Sequence, residues 1–479
     1  MIKNFKWLVL VSLTFVACNS NDDETVITNS SDGKPLTAGS ADFSKYISLG
    51  NSLCAGYSDG ALFIKGQEGS YPNILAQQFA LVGGGEFKIP YMADNVGGFT
   101  VLGTLASSPR LFFNGSGPAV VPGTPTTEIA NHLPGSYNNM GVPGAKSYHL
   151  IAPGYGNPNG LLANPRTANP YFVRFASSTT ATVLDDALAQ SPTFFSLWIG
   201  NNDVLGYATS GGDASDPITP TTTFDFAYNA LITGLTASGA KGVVANIPYV
   251  TSVPFFTTVP YNAVPLSSDQ VSALNSGYAT YNGGLQVAAL NGLISAAEVT
   301  RRTINFQVGQ NAVVIVDEYL TNLSPLGIPS YRQATAQDYV LLSSQGTSVQ
   351  AHLAAGNGTQ FPLADRWVLS KDEVMEVKTA TDAYNVTIQA LATAKGLAFV
   401  DANAVLGQVA NGGLVRNNYT FLSTYVTGGA FSLDGVHPSP RGYALIANEF
   451  IKSINTTYGS NLKGVDVGNY QILYPLALP

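Results

Sequence analysis

The sequence predicts an α/β fold built on a parallel sheet. Three observations predict it. From about Asp42, short apolar runs alternate with longer stretches of helical periodicity, the pattern of strand–helix units. Two of those runs, Tyr46–Leu49 and Thr193–Ile199, stop at a glycine, Gly50 and Gly200. The helical stretches are punctuated by proline near their starts or glycine just past their ends, as helices in water-soluble domains are.

Taken in order, Tyr46-Ile47-Ser48-Leu49 is the first strand. Tyr71–Leu81 is a helix, with Ser70 as N-cap and Pro72 in its first turn. Thr193–Ile199 is a buried strand. Phe224–Ala237 is an amphipathic helix stopped by Gly239, and Lys241–Ile247 is the next strand. Asp372–Lys395 is a long helix closed by Gly396. Leu397–Asp401 is a strand, and Pro440–Tyr458 is the closing helix. Residues 83–135 and 205–222 are irregular and rich in Gly, Pro, Thr and Asn. Residues 255–370 hold a helical pattern from Asp269 to about Thr300 and apolar runs at Ala312–Asp317 and Tyr339–Leu342. Structureless loops this long are uncommon unless functional. They are expected to wall or cover a site at one edge of the sheet. No internal repeat is present.

The chain has 479 residues, with 22 Lys+Arg against 30 Asp+Glu and a net charge of −8. Its longest basic run is Arg301-Arg302. A phosphate-backbone binder needs a basic face, so nucleic acid is not an expected partner. Charged residues make up 11% of the chain, against about 25% in an average soluble protein. Gly, Ser, Thr, Asn and Tyr replace them, a polar uncharged surface associated with exported proteins. Cys18 and Cys54 are the two cysteines. With Cys18 in a targeting segment, no disulfide framework is possible. One spare cysteine and four histidines argue against a Cys/His zinc site. No metal or cofactor is expected.

The first residues read as an address. Lys3 and Lys6 precede an apolar run of 11 residues, Trp7–Ala17, too short for the ~20 residues of a membrane crossing. It is a signal-peptide core. The run ends Phe15-Val16-Ala17-Cys18, which resembles a bacterial lipobox, with Phe15 where Leu is usual. The resemblance implies cleavage before Cys18 and lipidation of its thiol and amine. Several acyl chains would anchor the protein stably, at about 0.8 kcal/mol per buried CH₂. Residues 19–40 are polar and read as a flexible tether. Its acidic start, Asp22-Asp23-Glu24, resembles the surface-export signal of lipoproteins of Bacteroidetes type; a solvated linker is the alternative. The expected location is the bacterial outer membrane.

Four short patterns carry the chemistry. Gly50-Asn51-Ser52-Leu53 follows the first strand. Asn139-Met140-Gly141-Val142-Pro143-Gly144-Ala145 lies in a loop, and Gly200-Asn201-Asn202-Asp203 follows the second apolar strand. Asp434-Gly435-Val436-His437 precedes the last helix. Ligands of open α/β sheets bind beyond the carboxyl ends of the strands. A serine hydroxyl needs an adjacent base to act as a nucleophile. Of His132, His149, His352 and His437, the last alone has a carboxylate three residues before it. In a turn, Asp434 can hold one imidazole nitrogen and leave the other to face a hydroxyl, the logic of a nucleophile, base and orienter. Acyl transfer also needs oxyanion donors. The N–H groups of Gly144 and Ser52 and the side-chain amide of Asn202 are candidates.

Together these four patterns resemble the blocks of the SGNH (GDSL-type) hydrolases. Ala55-Gly56-Tyr57 after the serine adds to the match. The resemblance covers about residues 43–458, insertions excepted. It implies a three-layer αβα, flavodoxin-like fold and a metal-independent esterase or lipase. It maps Ser52 to nucleophile, Gly144 and Asn202 to oxyanion donors, His437 to base and Asp434 to its partner. The chain departs from the family at Asn51, where Asp is usual, so hydrogen bonding beside the serine is expected to differ. Cys54 is expected to be a small buried residue. Gly56-Tyr57-Ser58-Asp59-Gly60 fits the nucleophile elbow of another hydrolase class. The strand ends six residues before Gly56, however, so Ser58 is read as a turn residue.

The expected domain plan is a signal peptide over 1–17 and a tether over 18–41. A hydrolase domain over 42–460 carries insertions at about 83–135 and 255–370, and 461–479 is a C-terminal extension. The substrate is an acyl ester, on a lipid or on a glycan. The alternative is a surface lipoprotein that binds glycan or lipid on the same scaffold without catalysis.

Overall fold

The structure is a computed structural model that describes residues 29–213, 215–344 and 347–479. The signal peptide and Cys18 lie outside the described residues. Five strands form one parallel sheet: β1 Tyr46–Gly50, β2 Asn139–Gly141, β3 Phe194–Trp198, β4 Lys241–Ala245 and β5 Ala398–Val400. Their spatial order is β2-β1-β3-β4-β5, the flavodoxin-like doubly wound order. Every residue of β1 and β3 is buried, as befits strands covered on both faces.

The helices include α1 Ser52–Ala55, α2 Tyr71–Ala80, α3 Asn202–Thr209, α4 Thr221–Thr236, α5 Ser268–Leu290, α6 Ala296–Arg302, α7 Lys371–Lys395, α8 Ala402–Ala410 and α9 Pro440–Tyr458. α9 packs on β5 and α2, while α7 packs on α4 and α3 across the sheet. The result is the expected three-layer αβα arrangement. Phe43, Tyr46, Phe79 and Phe194 cluster at the amino ends of the strands, with Phe43 stacked on Phe79 at 4.0 Å.

Several elements differ from the sequence reading. Residues 139–141 form the edge strand β2 rather than a loop. The stretch 205–222 is not wholly irregular, since α3 runs on to Thr209. The long helical pattern after Asp269 is two helices, α5 and α6, parted at a left-handed Gly292. Ser70 stands at the N-cap of α2, but its hydroxyl makes no capping bond.

The insertions have structure of their own. Residues 83–135 contain two hairpins, Phe99–Val101 with Thr104–Ser107 and Leu111–Phe113 with Pro118–Val120. Residues 255–370 enclose small cores around Ile315 and Phe306. Arg332 is buried there between Asp317 and Asp338, with two bonds of 2.7 Å to Asp338. This insertion reaches the site: the N–H of Phe255 donates to the carbonyl of Gly435 at 2.9 Å.

The stretch read as a tether is held to the domain from Ser30 on. Ser30 bridges Leu462, Thr37 N–H donates to Asn461 Oδ1 at 2.7 Å, and Ser40 N–H donates to Tyr458 O at 2.8 Å. The C-terminal residues fold back as well. Arg110 donates to the carbonyls of Pro475 and Leu476 at 2.8 and 2.9 Å. Among the described residues no helix is long and apolar enough to cross a membrane.

Candidate active site

The three strands that carry the first three patterns end level with one another. Gly50 of β1 pairs in register with Gly141 of β2 and Trp198 of β3. Ser52, Gly144 and Asn202 therefore leave the sheet at one edge, at the switch point where such folds bind ligands. Gly141 is required by close packing, because a Cβ there would lie 2.3 Å from the Ala55 nitrogen.

Ser52 opens α1. Asn51 caps that helix, its Oδ1 accepting from Leu53 N–H at 3.0 Å, and Gly56 closes it in the left-handed conformation. A helix-opening residue keeps an unbonded N–H, and the N–H of Ser52 has no partner among the described residues. The Nδ2 of Asn51 is likewise buried without one.

The last pattern folds back onto the serine. His437 Nε2 lies 2.8 Å from Ser52 Oγ, and His437 Nδ1 lies 2.9 Å from Asp434 Oδ2. Asp434 Oδ1 accepts the N–H groups of Val436 and His437, both at 2.8 Å, and the Ser432 hydroxyl at 3.1 Å. Burial raises the pKa of Asp434, but the imidazole and these donors outweigh it and bring the carboxyl down to about 2. The carboxylate is thus ionised at any physiological pH. The ring of Tyr57 packs against His437 at 4.6 Å.

The Gly56–Gly60 segment, set aside above as an elbow, is a cradle for Asp434. Gly60 N–H donates to Asp434 Oδ2 at 2.9 Å. Asp59 N–H donates to Ser432 Oγ at 3.0 Å, and Asp59 Oδ1 accepts Leu433 N–H at 2.9 Å. Ser58 Oγ donates to Pro438 O at 3.1 Å. Burial raises Asp59 to about 7; the Leu433 N–H opposes this, the Asp434 charge adds to it, and Arg110 pulls back. Asp59 and Gly60 both have positive φ, 53° and 78°. Sequence reasoning missed these two residues.

The candidate oxyanion donors are arranged as follows. Asn202 Nδ2 donates one N–H to Ala145 O at 2.9 Å, which leaves its second N–H available. Asn202 lines the same cavity as Ser52 and His437. Gly144 stands outside that cavity; it is exposed between buried neighbours in the loop beyond β2. Its φ is +80°, and a Cβ there would find space, so glycine is required by conformation rather than by crowding. Two residues that sequence reasoning missed steady this loop. Asn169 Nδ2 donates to Pro143 O at 2.8 Å, and Asp203 accepts from both N–H and Oγ of Ser147 at 2.8 and 2.7 Å. The acidic position after Asn202 was the available signal for the second.

The other histidines have separate partners. His149 accepts Lys146 N–H at 3.0 Å and stacks on Tyr155, with burial lowering it to about 4. His132 contacts Ala176 O, and His352 packs on Trp367. Cys54 is buried and 2.9 Å from the Ser48 hydroxyl, with burial raising its thiol to about 12. A thiol held neutral is a poor nucleophile.

No curated protein and no solved structure matches the chain. A family model does, that of the GDSL-like lipases and acylhydrolases, over residues 46–450. That span includes every strand of the sheet and all four patterns at its edge. The chain belongs to the GDSL-like lipase/acylhydrolase family, hydrolases that act on esters.

Proposed function

We propose that the protein is a serine esterase, exported and held to the outer membrane through lipid on Cys18. The observation that carries the catalytic reading is the unbroken chain Ser52 Oγ–His437 Nε2–His437 Nδ1–Asp434 Oδ2, with links of 2.8 and 2.9 Å. Ser52 Oγ attacks the ester carbonyl while its proton passes to Nε2. The carbonyl π electrons move to oxygen, where the N–H groups of Ser52 and Gly144 and the Asn202 amide stabilise the charge. The oxyanion then collapses, the bond to the alcohol oxygen breaks, and Nε2 returns the proton to that oxygen. Water repeats the sequence on the acyl-serine and regenerates the hydroxyl. Asp434 stays ionised and stabilises the imidazolium throughout.

Export and anchoring are supported by Lys3, Lys6, the apolar run Trp7–Ala17 and the Phe15–Cys18 motif. The catalytic reading is tested by a fluorophosphonate probe and by p-nitrophenyl ester hydrolysis. Covalent labelling on Ser52, lost together with turnover in Ser52→Ala, is the expected result. Turnover that persists in Ser52→Ala refutes it.

A further inference from the structure

Beside Ser52, on the side away from β2, the carboxyl ends of β4 and β5 open onto a cavity of about 120 Å³. Trp198, Val250, Val400, Leu406, Val409 and Phe450 make its wall, which continues to Ser52 and His437. These residues come from β3, the loop after β4, β5, α8 and α9. The cavity thus has an apolar side on every layer it touches. We infer that it takes the acyl chain of the substrate, and that the chain is of medium length, about five carbons by volume and eight by length, the two measures of size given below. The inference rests on the serine-esterase reading and names its substrate class.

Three arguments support it. The acyl group stays on Ser52 through both half-reactions, whereas the alcohol must leave before water can enter. A walled pocket therefore suits the acyl side. Beyond the asparagines near Ser52, the wall offers a sugar hydroxyl Glu449 alone as a side-chain partner, so most hydroxyls would lose their water without replacement, which disfavours a glycan there. The pocket's size sets the chain. Its wall follows α9 from Gly442 through Leu445 and Ile446 to Glu449. The seven steps from Gly442 to Glu449 rise ~10 Å, or about eight carbons at roughly 1.3 Å of advance for each ~1.5 Å bond. By volume the cavity is slightly below the ~150 Å³ that holds a six-carbon benzene. Glu449 is the one carboxylate in the wall, and Arg416 holds it through bonds of 3.1 and 2.9 Å. A longer chain would have to desolvate that ion pair.

The experiment is a chain-length series of p-nitrophenyl esters, from acetate to palmitate, on the intact protein, Leu406→Trp, Val409→Phe and Ser52→Ala. The expected kcat/KM rises about fourfold per methylene from acetate, peaks between pentanoate and octanoate, then falls. Leu406→Trp and Val409→Phe should lower the octanoate-to-acetate ratio at least about tenfold. Ser52-dependent turnover that is greatest on acetate overturns the inference and leaves the esterase standing. So does an optimum that neither substitution moves, or a preference that follows the alcohol in a series of alkyl acetates. If no ester is turned over, the esterase reading alone fails, and octanoate binding to Ser52→Ala by calorimetry decides the pocket. Binding weakened by Leu406→Trp supports it, and no binding overturns it.

Discussion

The backbone N–H of Gly60 donates to Oδ2 of Asp434 at 2.9 Å, the same oxygen that meets Nδ1 of His437. The other oxygen receives two more backbone N–H groups and a hydroxyl. Donors surround the carboxylate, so an amide in its place must point its own N–H at one of them. Asp434→Asn is therefore expected to lower kcat by about 10³–10⁴-fold, the scale set by a wrongly held imidazole. Steady-state hydrolysis checks it. Activity within tenfold of the parent would show that the carboxylate is dispensable.

Asn202 has one amide N–H on Ala145 and a second to offer. Asn202→Ala should reduce kcat by about 10²–10³-fold and change KM less, because the oxyanion forms after binding. A rise in KM at constant kcat would assign Asn202 to substrate binding instead.

Asp203, in the first turn of α3, holds Ser147 just beyond the Gly144 loop. Asp203→Ala strands the N–H and hydroxyl of Ser147 in a buried setting, at a cost of about 1–3 kcal/mol in stability. The displaced loop should also lower kcat more than it raises KM. Ser147→Ala keeps the backbone bond and should cost less on both counts. Denaturant titration and kinetics of the two variants separate these outcomes.

Asp59 makes stability depend on pH. Burial raises its folded pKa to about 7, while an unfolded Asp titrates near ~3.9. Between these values the folded protein keeps a proton that the unfolded chain releases. The stabilisation is full below pH ~4 and is lost as pH rises through about 7. Asp59→Asn keeps the acceptor for Leu433 N–H without a charge. The variant's stability relative to the parent should rise by about 2–3 kcal/mol between pH 5 and pH 8, read by urea unfolding. A constant difference would show that Asp59 does not titrate in this window.

Cys18→Ala is expected to abolish incorporation of a labelled fatty acid and to move the protein from the membrane to the soluble fraction. Labelling that survives the substitution would place the lipid on another residue.

The sequence revealed what is both local and patterned. β1, β3 and β4 are apolar runs because both their faces are covered. Asp434 and His437 announce themselves by a three-residue spacing. β2 gave no such signal: it is three residues long, and Asn139 spends its amide on Cys54 O at 3.0 Å. α8 was overlooked although Asp401 caps it by accepting Ala404 N–H. Gly60 was invisible for a different reason. It acts through its backbone on a residue 374 positions away, and no side-chain type records that.

The closing helix runs from beside His437 to Tyr458, at the opposite end of the sheet. Its 19 residues span ~28 Å. Residues 30–40 attach to the far end of that helix, at Tyr458, Asn461 and Leu462. Residues 30–40 are thus gripped at the pole of the domain opposite Ser52 and His437.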